Sequence, residues 1–259
     1  MVPKREINLS MDSLNMVSIA WSLIAVATFI GLLFVSAPYG RYSTGGWGMH
    51  IPNKWGWIFM EVPSLIIMLV FFIMALGKED VYVSLLQLLW IGHYFNRTVV
   101  FPLKLRTGSK TMPLAIVLTG VFFNTINAGL NGYFLCFIGN YGIAWLSSWQ
   151  FYVGLFIFLV GLILNFKADH ILISLRKTGE KGYSIPMGWP FRFISCPNYL
   201  GEIIEWMGFA IMAWNLPALS FFVWTFANLV PRAIDHHKWY VREFQDYPKS
   251  RKAIFPFAL

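Results

Sequence analysis

Cysteine is scarce in this chain and charge is sparse. Of 259 residues two are cysteines, Cys136 and Cys196. They are too few and too far apart for a disulfide framework or a C-x-x-C metal site, so both are expected as small buried apolar residues. Charged residues make up 12% of the sequence, against about 25% in an ordinary soluble domain. Lys and Arg outnumber Asp and Glu by 20 to 12, yet no basic run is long enough to form a stripe apart from the apolar segments, which argues against nucleic acid as a partner. There is no G-x-G-x-x-G and no G-x-x-x-x-G-K-[ST], which excludes a Rossmann or P-loop nucleotide site. The histidines lack zinc spacing, so no metal is expected, and no G-x-S-x-G elbow supports hydrolase chemistry. Internal repeats and low-complexity tracts are also missing.

What the chain has instead is apolar surface. Its residues are 57% hydrophobic and 18% aromatic, more than a soluble globule of this size could hide. The expected class is an all-α integral membrane protein, a single multi-pass domain over 1–259. Uncharged or nearly uncharged stretches run over 13–40, 55–77 (with Glu61 its one charge), 81–96 and 111–166, and a helix needs about 20 apolar residues to cross the hydrocarbon. The first is retained as a span, because it is too long for a signal peptide and 36–38 makes a poor cleavage site. The fourth must hold two spans, near 113–137 and 147–168, broken by Gly139-Asn140-Tyr141-Gly142. Asn215-Leu216-Pro217 divides the last run into helices at about 199–214 and 217–239. Seven spans result. They place 17 Lys and Arg on one side and 3 on the other, which puts the N-terminus outside or in the lumen and the C-terminus in the cytoplasm.

Charge inside a span is expensive and marks function by default. Glu61 lies seven residues past Lys54, roughly 10 Å into its helix at 1.5 Å per residue. On the third helix His93, Tyr94 and Arg97 fall within one turn; the arginine could also snorkel to the interface. Asn165 and Asp169 share a face at i, i+4. The polar loop 179–186 carries Tyr183. Asn198, Glu202 and Trp206 recur every four residues with Glu205 beside them, and Arg232, His236 and Tyr240 line one face of the last helix. All three clusters sit at cytoplasmic helix ends, which predicts one shared polar cavity. Arginine forks, amides, carboxylates and aromatic faces suit a ligand with phosphates, a sugar and a planar base.

Four strings carry a resemblance: Met60-Glu61-Val62-Pro63-Ser64, His93-Tyr94-Phe95-Asn96-Arg97-Thr98, the run from Asn198 to Trp206, and the tail from His236-His237-Lys238-Trp239-Tyr240 to Asp246-Tyr247-Pro248-Lys249-Ser250-Arg251-Lys252. From about Pro38 onward the chain closely resembles the steroid 5-alpha-reductases, the 3-oxo-5-alpha-steroid 4-dehydrogenases of type 1 and type 2. The first 35 residues carry only the general pattern of a span. The resemblance implies a seven-helix enzyme that uses NADPH to reduce the 4,5 double bond of a 3-oxo-4-ene steroid. By position, Glu61 and Tyr94 look like the pair that binds the 3-keto oxygen. Asn165, Asp169, Arg176, Tyr183, Asn198, Glu202, Arg232, His236 and Tyr240 fall on the family's NADPH site, and Trp206 resembles the aromatic residue near nicotinamide and steroid. Residues 1–110 would then form the substrate side and 111–259 the cofactor side. Asn96 departs from the polar residues of close relatives, which bears on substrate preference rather than chemistry.

Hydride addition at carbon 5 of an enone builds negative charge on the 3-oxygen, so a donor placed there stabilises the transition state more than the ground state. Tyr94 would be that donor, and Glu61 would hold the phenol or share its proton. The sequence does not identify the source of the carbon 4 proton. Alternatives are an enoyl-CoA or polyprenol reductase, an S-adenosylmethionine-dependent membrane methyltransferase, and a seven-span transporter or receptor. The expected partners are the steroid and the bilayer, with the enzyme acting as a monomer. The host membrane would be the endoplasmic reticulum in a eukaryote or the cytoplasmic membrane in a bacterium.

Overall fold

The computed structural model of the chain describes residues 9–36, 48–78, 80–106, 108, 110–175 and 182–259. It is mostly helical. Helix α1 spans Met11–Phe34, begun by Ser10, whose side chain accepts from Ser13 N–H. After a short strand, β1 (His50–Pro52), come α2 (Asn53–Ala75) and α3 (Val81–Phe95). Helix α3 does not stop where the uncharged run ends. A π turn over Asn96–Val100 carries it into α4 (Phe101–Lys104), so one continuous rod brings Arg97 and Thr98 into the interior. Strand β2 (Thr111–Pro113) leads into α5 (Leu114–Tyr133), which ends in a second π turn, Phe134–Ile138. Then follow α6 (Trp149–Ser174), α7 (Pro197–Ala213) and α8 (Leu216–Glu243).

The sequence signals account for these boundaries. The break at 139–142 is present, with Gly142 at φ +67°, a conformation that favours glycine. Asn215 caps α8 by accepting from Ala218 N–H at 2.9 Å. Helix α7 starts two residues before the expected 199, with Pro197 in its first turn, where a missing N–H is no loss. Helix α6 runs past 168, so Asp169 is a helical residue. Four helices are long and apolar enough to cross a membrane: α1, Asn53–Lys78, Leu114–Ile138 and α6. Their exposed faces are apolar, as fits a membrane protein.

Helix α1 packs on α8, α2 on α5 and α3, and α7 on both α6 and α8. The α6–α7 seam is the tightest. Gly154 and Gly161 on α6 face Gly208 and Gly201 on α7, so the two backbones touch. A Cβ on Gly201 would stand 2.5 Å from the Asn165 nitrogen. At the centre Trp90 of α3 meets Trp206 of α7 and Phe221 of α8, with ring centroids 4.9 and 4.7 Å apart.

The helix ends gather in two groups. At one end Leu9 N–H donates to the Tyr133 hydroxyl, Asp80 accepts from Tyr141 and Gly142 N–H, and the Tyr141 hydroxyl donates to Ala213 O. At the other, β1 pairs antiparallel with β2, Asn165 reaches Asn198, and Ser195 N–H donates to Lys252 O.

Candidate active site

Glu61, on the second turn of α2, and Tyr94, near the end of α3, are both buried. They are brought together, but not in direct contact. Asn124 of α5 stands between them. Its Nδ2 donates to Met60 O at 2.6 Å and to Glu61 Oε2 at 3.3 Å. Its Oδ1 accepts from Ser64 Oγ at 3.0 Å and from the Tyr94 hydroxyl at 3.3 Å. The carboxylate and the phenol therefore sit at opposite ends of one amide. Asn124 belongs to the half of the chain assigned to the cofactor, yet it completes the substrate pair.

Arg97 does not snorkel. Its Nη1 lies 3.3 Å from Asp169 Oδ2 and its Nη2 4.0 Å from Glu61 Oε1, while its guanidinium packs over the Trp57 and Phe101 rings at 5.0 and 4.7 Å. The π turn aims it there, since the wider turn re-angles the helix just where Phe101 must cover the guanidinium. Glu202 acts electrostatically on Arg97, and the Asn198 side chain hydrogen-bonds Asp169. One buried cluster thus joins α2, α3, α6 and α7. Beside it His93 Nδ1 meets Glu205 Oε1 at 2.8 Å, both fully enclosed. Trp206 lies 4.7 Å from the His93 ring and 5.9 Å from the Tyr94 ring.

The other predicted cofactor residues sit at the same end of the helices. Asn165 Nδ2 donates to Asn198 O at 3.0 Å, while its buried Oδ1 and the Thr98 hydroxyl have no hydrogen-bond partner. His236 stacks on Tyr199 and shares a 3.1 Å hydrogen bond with its hydroxyl. Arg232 is part-buried on the same face of α8. Tyr240 stacks nearly parallel on Tyr247, 5.2 Å between centroids. Tyr183 meets Trp239 edge-on, and the Lys110 ammonium lies 4.4 Å above its ring. Arg176 lies outside the described residues. No group of three or more His, Cys, Asp or Glu suited to a metal occurs among the described residues.

A sequence profile described as 3-oxo-5-alpha-steroid 4-dehydrogenase matches residues 110–259. The 3-oxo-5-alpha-steroid 4-dehydrogenase 1 of Rattus norvegicus is 37% identical over 261 residues, covering 100% of both chains. The chain belongs to the 3-oxo-5-alpha-steroid 4-dehydrogenase family. The steroid 5-alpha-reductase DET2 of Gossypium hirsutum is 40% identical, over 91% of this chain and 93% of its own length. The human 3-oxo-5-alpha-steroid 4-dehydrogenase 1 is 34% identical over 90% and 91%. The family is one of oxidoreductases, as the four strings imply, and membership displaces the methyltransferase and transporter readings.

Sequence reasoning passed over Asn124 and Ser64. The available signal was the trio Asn124, Asn127 and Asn131, three amides at helical spacing inside an otherwise apolar span. Asn127 and Asn131 prove structural. Trp21 Nε1 donates to Asn127 Oδ1, and Asn131 Nδ2 donates to Pro217 O.

Proposed function

We propose that this chain reduces the 4,5 double bond of a 3-oxo-4-ene steroid to the 5-alpha product, with NADPH as reductant and Tyr94 as the donor to the 3-keto oxygen. The observation that carries this reading is the amide bridge. The Tyr94 hydroxyl rests on Asn124 Oδ1 through a long 3.3 Å contact, while Ser64 holds the same oxygen at 3.0 Å. Tyr94 can therefore turn its proton to a substrate oxygen without leaving Asn124 unsatisfied. Glu61, on the amide's other end and bracketed by Arg97, fixes which way the amide points. A donor set in place before reaction, in a dry aromatic surround, needs no reorganisation as charge develops on the oxygen.

The family's chemistry calls for a bound reductant, and the residues at the cytoplasmic helix ends suit NADPH. Asn165, Asp169, Arg176, Tyr183, Asn198, Glu202, Arg232, His236 and Tyr240 would hold it, and when bound it supplies the hydride for carbon 5. The partnerless buried Oδ1 of Asn165 supports this, because such an acceptor is costly unless a ligand hydroxyl or N–H meets it. Arg176 and its basic neighbours suit a 2′-phosphate.

Seven crossings, with the N-terminus outside and the C-terminus cytoplasmic, fit both the 17 to 3 charge division and the two groups of helix ends. The monomer, the division at residue 110, and an endoplasmic reticulum or bacterial cytoplasmic membrane belong to the same reading. The test is incubation of the purified protein with NADPH and either testosterone, progesterone or an enoyl-CoA. Mass spectrometry should find a 5-alpha-reduced steroid; reduction of the thioester alone would redirect the assignment.

A further inference from the structure

We propose that His93, held by Glu205, is the general acid that delivers the proton to carbon 4. This rests on the reading of the chain as a 3-oxo-4-ene reductase. Carbon 4 is two bonds from the 3-oxygen, so whatever protonates it must stand beside the group that binds that oxygen. Around Tyr94 most candidates are already engaged. Glu61 takes Asn124 and faces Arg97, the Ser64 hydroxyl proton goes to Asn124 Oδ1, and Asp169 is paired with Arg97. His93 differs. Its Nδ1 is fixed on Glu205 at 2.8 Å, while its Nε2 takes no hydrogen bond from any described residue.

The ring is locked between its neighbours, with the Trp206 centroid at 4.7 Å and the Tyr94 centroid at 5.1 Å. Glu205 is wholly buried and its second oxygen has no partner, so its charge is directed at the imidazole. A carboxylate on one ring nitrogen with the other left open is how proteins orient an acid-base histidine. In the step proposed, hydride addition at carbon 5 shifts the double-bond electrons toward the oxygen, giving an enolate held by Tyr94. The enolate carbon 4 then takes the Nε2 proton, forming a C–H bond and restoring the ketone. The imidazolium becomes imidazole, and water reprotonates it.

The test is reduction in deuterated water, reading the face of carbon 4 that carries deuterium. Wild type should label one face. His93→Gln keeps a donor of similar reach but no acid. It should fold and bind NADPH, turn over about 10²-fold more slowly, and label both faces because water protonates the free enolate. A second readout needs no cofactor. Wild type should exchange the carbon 4 hydrogen of the saturated 3-oxosteroid, and His93→Gln should not. Single-face labelling by a folded His93→Gln enzyme, fast or slow, overturns the proposal. If that variant does not fold, Glu205→Gln decides, because unchanged turnover there overturns it equally. A wild-type enzyme that reduces no 3-oxo-4-ene steroid fails the underlying reading instead.

Discussion

At the residue scale the site is a set of polar groups that correct one another inside an apolar bundle. Tyr94→Phe removes only the hydroxyl, so packing and NADPH binding should persist while turnover falls by about 10²-fold. Because Glu61 and Tyr94 share the Asn124 amide, Glu61→Gln combined with Tyr94→Phe should be little worse than the poorer single variant. In an Asn124→Ala background the same two changes should move toward multiplying, and steady-state kinetics of the full set measures this. Sequence patterning reached Glu61 and Tyr94 because a carboxylate and a charged helix end stand out in an apolar run. Asn124 did not stand out, since an uncharged amide in a span reads as ordinary helix glue. Only the packing of α5 against α2 shows what it bridges.

At the element scale the glycine seam and the Asp80 cap make opposite demands. A Cβ on Gly161 would collide with the backbone of Glu205 and Gly201, which cannot yield without moving the helix. Gly161→Ala should therefore lose about 1 to 3 kcal/mol and displace Glu205, whereas Gly92→Ala, with nothing within 4 Å, should be neutral or slightly stabilising. Thermal unfolding of the two in parallel checks this. Asp80 N-caps α3. Partial burial works against its charge, but N–H groups of Gly142, Val83, Tyr141 and Tyr82 outweigh that and hold its carboxyl below the usual aspartate range. A lowered folded pKa means stability present at neutral pH and lost as pH falls through it. Asp80→Ala should lower stability by about 0.5 to 2 kcal/mol at neutral pH and by less in acid, as denaturation at both pH values would register. Helix positions were legible from charge and turn residues. The rod from α3 into α4 was not, because charges at Arg97 and Lys104 imitate a span's end.

At the scale of the whole molecule, the bundle sorts its fastenings. One end is tied by Asp80, Tyr141 and Asn215, the other by β1 with β2 and by Ser195, whose hydroxyl meets His237, Tyr247 and Lys252 O. If these ends are the two membrane faces, single cysteines at positions 10 and 249 should label from opposite sides of sealed vesicles. Labelling from one side would remove the seven-span count. The arrangement of crossings was readable from charge alone, while the partners that tie the loops together were not, since none is close in sequence.

The π turn at Asn96–Val100 also behaves as a record of length. A π turn holds one residue more than the α turn it replaces, and each residue rotates a helix by roughly 100°. Deleting Val99 should restore an ordinary helix of similar stability while swinging Phe101 and everything after it about a quarter turn. Arg97 would keep its position and lose its aromatic cover, so the deletion should leave a folded protein whose circular dichroism is unchanged and whose turnover is not. Here a single-residue deletion is a more selective lesion than most substitutions.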